Sequence, residues 1–421
     1  MNNKIKLAVA GAVLSAASVA NAGIIIPAGD WTIDINGNVN AFANWTSYDT
    51  KGVRDARGVT AAQGGLASTE DVRGDGDGLG INTGLLPSWL GFTGTTRQND
   101  LDVSFTISFQ PNASDNAGAG DVKTPLNRQA FVTFGDKSWG SVKLGKDLGI
   151  FASTAILNDM TLLGVGSQGV VGAGGGTTTT LGGIGTGYIY ADWQGQISYT
   201  TPNMNGFQAT IGIAQPTDAS TGGTAGTTSA VNGSTAYNHT QPSYQGQASY
   251  SWTGDVAGKV WAGFVSQKME NLGATGTLGD ETISAYEVGA NVNAGNLGLV
   301  AYYYDGRGLG TTSIGRDGFN AAGERRDSDG GYLQATYVIP TGTKLGVSYG
   351  VSNLDKEGSS DSAASFNLVD KNERWTVGAY HPLTKHLNLV VEYNDMKSEA
   401  MGSSVADNDQ DNFSVGAILF F

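Results

Sequence analysis

Leu101-Asp102-Val103-Ser104-Phe105-Thr106-Ile107-Ser108-Phe109-Gln110 is the stretch that decides the fold. Its odd-numbered residues are large and apolar, and its even-numbered ones are polar. Successive side chains of a strand point to opposite faces, so this run makes a strand with one greasy side and one wet side. A half-buried strand of any antiparallel sheet reads the same way, so one segment leaves the kind of sheet open. Repetition narrows it. Ile33, Ile35, Gly37, Val39, Ala41, Ala43 and Trp45 alternate with Asp34, Asn36, Asn38, Asn40 and Asn44, Phe42 being the exception. Leu345, Val347, Tyr349 and Val351 alternate with Lys344, Gly346, Ser348, Gly350 and Ser352. Leu387, Leu389, Val391 and Tyr393 oppose Asn388, Glu392 and Asn394, and a closing run sets Phe413, Val415, Ala417, Leu419 and Phe421 against Ser414 and Gly416. These lengths approach the about 9–11 residues that a tilted strand needs to cross hydrocarbon. The polar side carries Asn, Gln, Ser, Thr and charge, which suits a water-filled interior with the apolar side turned to lipid.

The connections alternate too. Short turns stand at residues 97–100, 136–139, 203–206, 253–255 and 340–343. Long stretches rich in Gly, Asp, Ser and Thr lie at about 49–79, 112–126, 148–190, 215–243, 270–280, 307–329, 354–372 and 398–410. Eight long loops separated by seven short turns require about sixteen strands, an even number as bacterial barrels have. The expected fold is all-β: a transmembrane antiparallel β-barrel with short periplasmic turns and long extracellular loops. At that size side chains cannot fill the interior, which leaves an aqueous channel.

The ends and the composition set the compartment. Lys4 and Lys6 precede an apolar run from Leu7 to Val19, and Ala20-Asn21-Ala22 supplies the small-x-small pattern at which signal peptidase cuts. A cleaved leader over residues 1–22 is expected, with residues 23–421 forming one barrel domain. After the leader no apolar stretch reaches the ~18 residues of a spanning helix. Acidic residues number 38 against 24 basic ones, for a net charge of −14, which argues against nucleic acid as a partner because phosphates repel carboxylates. The chain has no cysteine, so nothing rests on disulfides, while 64 glycines and only nine prolines suit strands and turns better than a disordered chain.

Three stretches carry a resemblance. They are Leu90-Gly91-Phe92-Thr93-Gly94-Thr95; Asn127-Arg128-Gln129-Ala130-Phe131-Val132 with the later Trp139-Gly140-Ser141-Val142-Lys143-Leu144-Gly145-Lys146; and the terminal Phe421. With the leader and the alternation, the chain resembles the general porins of Gram-negative bacteria, a trimeric sixteen-stranded family. The resemblance implies a homotrimer, a terminal aromatic read by the barrel-assembly machinery, and a third loop, here about 148–190, folded into the lumen as a constriction. It places Arg128, Lys146, Asp147 and Asp159 at that constriction, Asp159 within Asn158-Asp159-Met160. A rim position bound to water or lipid phosphate is the alternative for Arg128. The acidic portion of the family's third loop is absent, with Thr161-Leu162-Leu163-Gly164 in its place, and the tract from Gly172 to Gly187 carries no charge. Trp89 stands where some members carry a second wall arginine.

Alternation alone puts Asp34, Lys143, Glu287, Lys344 and Glu392 on the lumen wall. The run Arg73-Gly74-Asp75-Gly76-Asp77-Gly78 lacks the spaced acids and bidentate Glu of a calcium loop and reads as a solvated surface loop. Asp407, Asp409 and Asp411 read likewise, with divalent bridging to lipopolysaccharide as the sharper alternative. Tyr302-Tyr303-Tyr304 reads as part of an aromatic girdle at the lipid boundary. His239, His381 and His386 show no metal or triad spacing, and no cofactor or enzymatic site is expected. The function that follows is passive diffusion of small hydrophilic solutes and ions through the outer membrane, among lipid and lipopolysaccharide. A solute-specific channel is the alternative within that class, and an exported adhesin or structural β protein is the alternative outside it.

Overall fold

The period-two pattern of Leu101–Gln110 recurs in the other barrel strands. The structure is a computed structural model that describes residues 23–50, 64–67, 77–111, 125–168, 179–217, 240–270, 272, 279–320, 322–359, 361, 366–405 and 407–421. The leader lies outside the described residues. In chain order the strands are β1 (Ile24–Ala28), β2 (Trp31–Thr50), β3 (Asp77–Asn82), β4 (Trp89–Gln98), β5 (Leu101–Gln110), β6 (Leu126–Asp136) and β7 (Gly140–Leu148). A short helix α1 (Ser153–Asn158) and a 3-10 turn (Met160–Leu163) follow. Then come β8 (Trp193–Thr200), β9 (Phe207–Ala214), β10 (Ser243–Trp252), β11 (Val256–Met269), β12 (Glu281–Ala294) and β13 (Leu297–Arg307). The last five are β14 (Asp327–Val338), β15 (Lys344–Leu354), β16 (Val369–Pro382), β17 (Leu387–Ala400) and β18 (Asn408–Phe420).

From β4 to β18 each strand pairs antiparallel with the next, as at Phe105↔Val132 and Glu392↔Ser414. β18 then pairs with β2 from Asn408↔Thr50 to Phe420↔Asn38, and β2 pairs with β4 from Thr32↔Thr95 to Asn38↔Trp89, so the sheet closes on itself. β3 lies on the same edge of β2 as β4, at Phe42↔Asn82 to Ser47↔Asp77, so the two are one strand interrupted at residues 83–88. β1 folds back on the start of β2. Counting the interrupted strand once and setting β1 aside, the 18 strands make a closed barrel of sixteen, as the alternation predicted. Closure pairs the backbone groups that would each cost several kcal/mol if left bare in lipid.

The seam is tight. Gly37 and Phe421 exchange both backbone hydrogen bonds, at 2.9 and 3.0 Å. A Cβ at Gly37 would come within 2.2 Å of the Trp89 carbonyl oxygen and 2.9 Å of the Phe421 ring, so only glycine fits there.

The faces are sorted as the alternation requires. Ile211, Leu333 and Val377 are 60%, 64% and 57% exposed on the outside, while Ser108, Gln245, Ser348, Thr376, Asn394 and Ser414 are buried on the inside. A water-soluble domain does the reverse. No described helix is long and apolar enough to cross a membrane, so the crossing is made by strands. At one end the connections are short, as at Asn99-Asp100, whose φ values of 48° and 63° suit a tight hairpin turn. At the other end they are long, and the described parts of the third loop, residues 149–168 and 179–192, turn inward.

Two readings change with that loop in place. Phe42 breaks the alternation because it faces Met160 and Val165 of the loop, in a cluster with Tyr380, Val390, Ile418 and Phe420. Of the tyrosine triplet only Tyr303 faces outward. Tyr302 and Tyr304 point inward and pack with Trp261, Tyr332 and the loop's Tyr188, so neither of these two can belong to an outer girdle.

Candidate functional site

The third loop is held to the wall by polar side chains that the alternation turns inward. Gln245 on β10 accepts from the backbone N–H of Ile150 and Phe151, at 2.9 and 3.0 Å. Glu287 on β12 accepts from the Ala152 N–H at 3.0 Å, the Gln247 amide at 3.0 Å and the Tyr302 hydroxyl at 2.8 Å. On β14, Gln334 accepts from the Met160 N–H at 2.7 Å and donates to the Asn158 carbonyl at 3.0 Å, while Tyr332 donates to the Ala155 carbonyl at 2.8 Å. Glu392 on β17 takes the Val165 and Gly166 N–H groups at 2.9 and 2.8 Å, and its other oxygen takes the Tyr380 hydroxyl at 2.7 Å. The bonds to the loop's own N–H and C=O groups fill backbone donors and acceptors that would be orphaned inside the barrel, and those from Gln247, Tyr302 and Tyr380 fix the two carboxylates in place.

Asp159 closes the loop on itself. One carboxylate oxygen accepts from the Thr161 N–H at 2.9 Å; the other accepts from the Gly183 N–H at 3.0 Å and the Tyr188 hydroxyl at 2.8 Å. Burial, with the Asp159 carboxylate adding to it, pushes the Tyr188 phenol well above its ordinary value, so it stays a donor. Arg374, buried on β16, brings its guanidinium to 3.9 Å from Asp159 and donates to Thr186 at 3.2 Å. The two arms of the loop cross backbone to backbone: a Cβ at Gly166 (φ 59°) would lie 2.5 Å from the Gly182 Cα.

The anchors named above belong to β10, β12, β14, β16 and β17. Across the lumen, β4 to β9 present hydroxyls, amides and a charge pair. Thr93 and Thr106 share a hydrogen bond at 3.1 Å, as do Thr200 and Thr210 at 2.9 Å, and all four are half-buried. Asp147 accepts from Gln129 at 2.8 Å and pairs with Lys143. Arg128 sits at a β-bulge between the pairs Ser108↔Gln129 and Phe109↔Asn127. Its guanidinium lies between two indoles, 5.1 Å from the Trp89 ring and 4.5 Å from the Trp193 ring, within cation–π range.

A closed barrel with an inward-folded, wall-anchored third loop points to one group of proteins, and the Gram-negative porin family model matches residues 7–401. The chain belongs to the Gram-negative porin family. It is an outer-membrane channel through which small solutes diffuse passively. No curated protein matches the sequence. Solved structures that resemble this porin include the outer-membrane channel DcaP of Acinetobacter baumannii, at 14% identity and TM-score 0.65, covering 94% of this chain and 99% of that one. OmpF of Salmonella typhi, solved with daunomycin, gives 17% identity and TM-score 0.61 over 94% and 100% of the two chains. The anion-selective porin from Comamonas acidovorans gives 18% and 0.59 over 93% and 100%. At these identities the likeness is one of fold.

Within the porin, the residues singled out from the sequence divide. Arg128 and Asp147 lie together on the β6–β7 wall, with Lys143 on the Asp147 carboxylate. Lys146 does not join them: it pairs with Gly195, between the inward-facing Gln194 and Gln196, so it points off the lumen and donates to the Asn127 carbonyl at 3.0 Å. Asp159, Glu287 and Glu392 do point inward, but at 4%, 1% and 0% exposure they hold the loop and do not meet solute. Lys344 lies half-buried, its ammonium 5.0 Å from the Tyr380 ring, and Asp34 is half-buried on the lumen face. Phe421 makes the seam. Residues 73–76 of the glycine-aspartate run and 172–178 of the neutral tract lie outside the described residues. Asp407 pairs with Lys397 at 3.1 Å, and Asp411 accepts from Tyr393 at 2.5 Å. The sequence reading missed Arg374, Gln245, Gln334 and Lys259, although alternation around Trp375, Tyr244, Leu333 and Val260 turns all four inward.

Proposed function

We propose that solutes cross through the half of the lumen lined by β4 to β9, with the third loop serving as a fixed inner wall on the opposite side. The carrying observation is the asymmetry of the anchors: the wall side chains that bind the loop come from β10 round to β18, with Thr46 of β2, and the half-buried Thr93, Thr106, Thr200 and Thr210 stand on the other side. Hydroxyls of this kind exchange hydrogen bonds with water or solute at little cost, and weak contact lets solute leave as readily as it enters. The porin is a passive channel and not an enzyme. In the same reading it works as a homotrimer, embedded in lipid and lipopolysaccharide, with Phe421 presented to the barrel-assembly machinery. Arg128 between its two indoles supports the narrower alternative, a channel that favours particular solutes.

The test is a planar bilayer measurement on purified, folded protein, joined to liposome swelling with sugars of increasing size. Stepwise currents and a size cut-off are expected. Folded protein that carries no current would remove the reading.

A further inference from the structure

We propose that this lumen favours small anions over cations, an inference that rests on the channel reading above and assigns its charge preference. It comes from following each interior charge to its partner. Lys143 is taken up by Asp147, Arg374 by Asp159, and Arg326 by Asp361 at 2.6 Å. Glu287 and Glu392 are buried, and each is filled by three donors: Ala152 N–H, the Gln247 amide and the Tyr302 hydroxyl for the first, and Val165 N–H, Gly166 N–H and the Tyr380 hydroxyl for the second. Donors aimed at a carboxylate offset much of its field toward the lumen.

The cations are left differently. Arg128, Lys259 and Lys344 face inward, and among the described residues none has a carboxylate within ion-pair distance; Asp147 acts on Arg128, and Asp159 and Glu392 on Lys344, only from further off. Lys259 on β11 and Lys344 on β15 are both half-buried, so their stems lie on the wall while their ammonium groups can reach water. Away from the two rims, the described lumen-facing strand acid with comparable exposure and no described cationic partner is Asp34. It is partly covered by Gly23, where an added Cβ would come within 1.9 Å of its Oδ1. A water path bordered by unpaired cations between low-dielectric walls concentrates anions, as basic side chains do in anion pores.

The overall charge of −14 points the other way, but many acids sit on the outer surface or rim. Asp395 and Asp411 are exposed beside Tyr393 on the lipid-facing side, and Asp327 pairs with Arg307 at 2.7 Å. Beyond a Debye length of about 10 Å at 0.1 M salt, such charges are largely screened from a permeant ion.

The experiment measures reversal potential across planar bilayers under a potassium chloride gradient, for the wild-type porin, Lys259→Gln with Lys344→Gln, and Glu392→Gln. Retarded mobility of unheated protein in detergent gels confirms folding of each. The wild type is expected to prefer chloride, and the double lysine variant to lose that preference severalfold at similar conductance. Glu392→Gln should leave the ratio in place, since its carboxamide can still accept the loop N–H groups and meet Tyr380. Current with potassium preference in the wild type, or a Glu392→Gln shift as large as that of the lysine pair, would overturn the inference while leaving the channel standing. Absence of current would remove the channel reading itself.

Discussion

The two sides of the lumen come from the same sequence rule and end in opposite states. Under the third loop, β10 to β17 set long inward side chains against its backbone: Gln245, Glu287, Gln334, Glu392 and Arg374, among Trp261, Tyr302, Tyr304 and Tyr332. Along β4 to β9, Thr93 with Thr106 and Thr200 with Thr210 bond to one another across strands and stay half-buried, while Ser104, Ser108, Thr133 and Ser198 are buried beside them. An inward polar residue is thus a fastener where backbone faces it and a water-bearing surface where nothing does. Alternation gives the direction of a side chain, and the opposing group gives its role.

The sharpest way to break this comparison is to remove a fastener. Glu392→Ala would leave the Val165 and Gly166 N–H groups and the Tyr380 hydroxyl without their acceptor. At roughly 1–3 kcal/mol for a buried donor left unsatisfied, the loss should total several kcal/mol. The ring itself should survive, so single-channel recordings are expected to show larger, noisier current while gel mobility stays that of a folded barrel. Unchanged current would mean that the loop does not depend on this anchor.

Gly166→Ala probes the crossing of the loop's arms. With φ at 59° and the Gly182 backbone 2.5 Å from the new Cβ, the substitution strains the crossing by about 1–3 kcal/mol. Faster proteolysis or hydrogen exchange in residues 160–190, with the strands unaffected, is the expected result; equal protection across the variant and wild type would refute it. Thr106→Ala on the open side should matter least. Its partner Thr93 touches water already, so thermal stability should move by no more than about 0.5 kcal/mol. A larger change would show that the open side is packed and not wet.

Much of the fold is legible in the chain because membrane crossing imposes a strict period and length. The runs from Ile33, Leu101 and Leu345 announce their strands, and the count of sixteen follows from the turns. The interruption at residues 83–88 is less legible, since its cause is tertiary: the Leu85 N–H bonds the Gly164 carbonyl of the loop at 3.0 Å. The site is readable only halfway for the same reason. Nothing local to Glu287 says that Ala152 will stand opposite it, and nothing local to Asp159 says that Tyr188 and Gly183 will turn it away from solute. Lys146 was misplaced because a motif position carries no facing, whereas its neighbours Lys143 and Asp147, four residues apart, share one. Phe42 was the exception that held information: an apolar side chain on the wet face marks where another segment must dock.

The bond between Gly37 and Phe421 has a consequence for how the molecule is made. It joins segments separated by nearly the whole polypeptide, so no early hairpin can stand in for it, and non-local pairing of this kind is slow. Until the far segment arrives, both margins of the growing sheet offer bare amides and carbonyls to any passing strand. Without β18, residues 38–50 of β2 would have no partner on that side, and the two margins would stay apart.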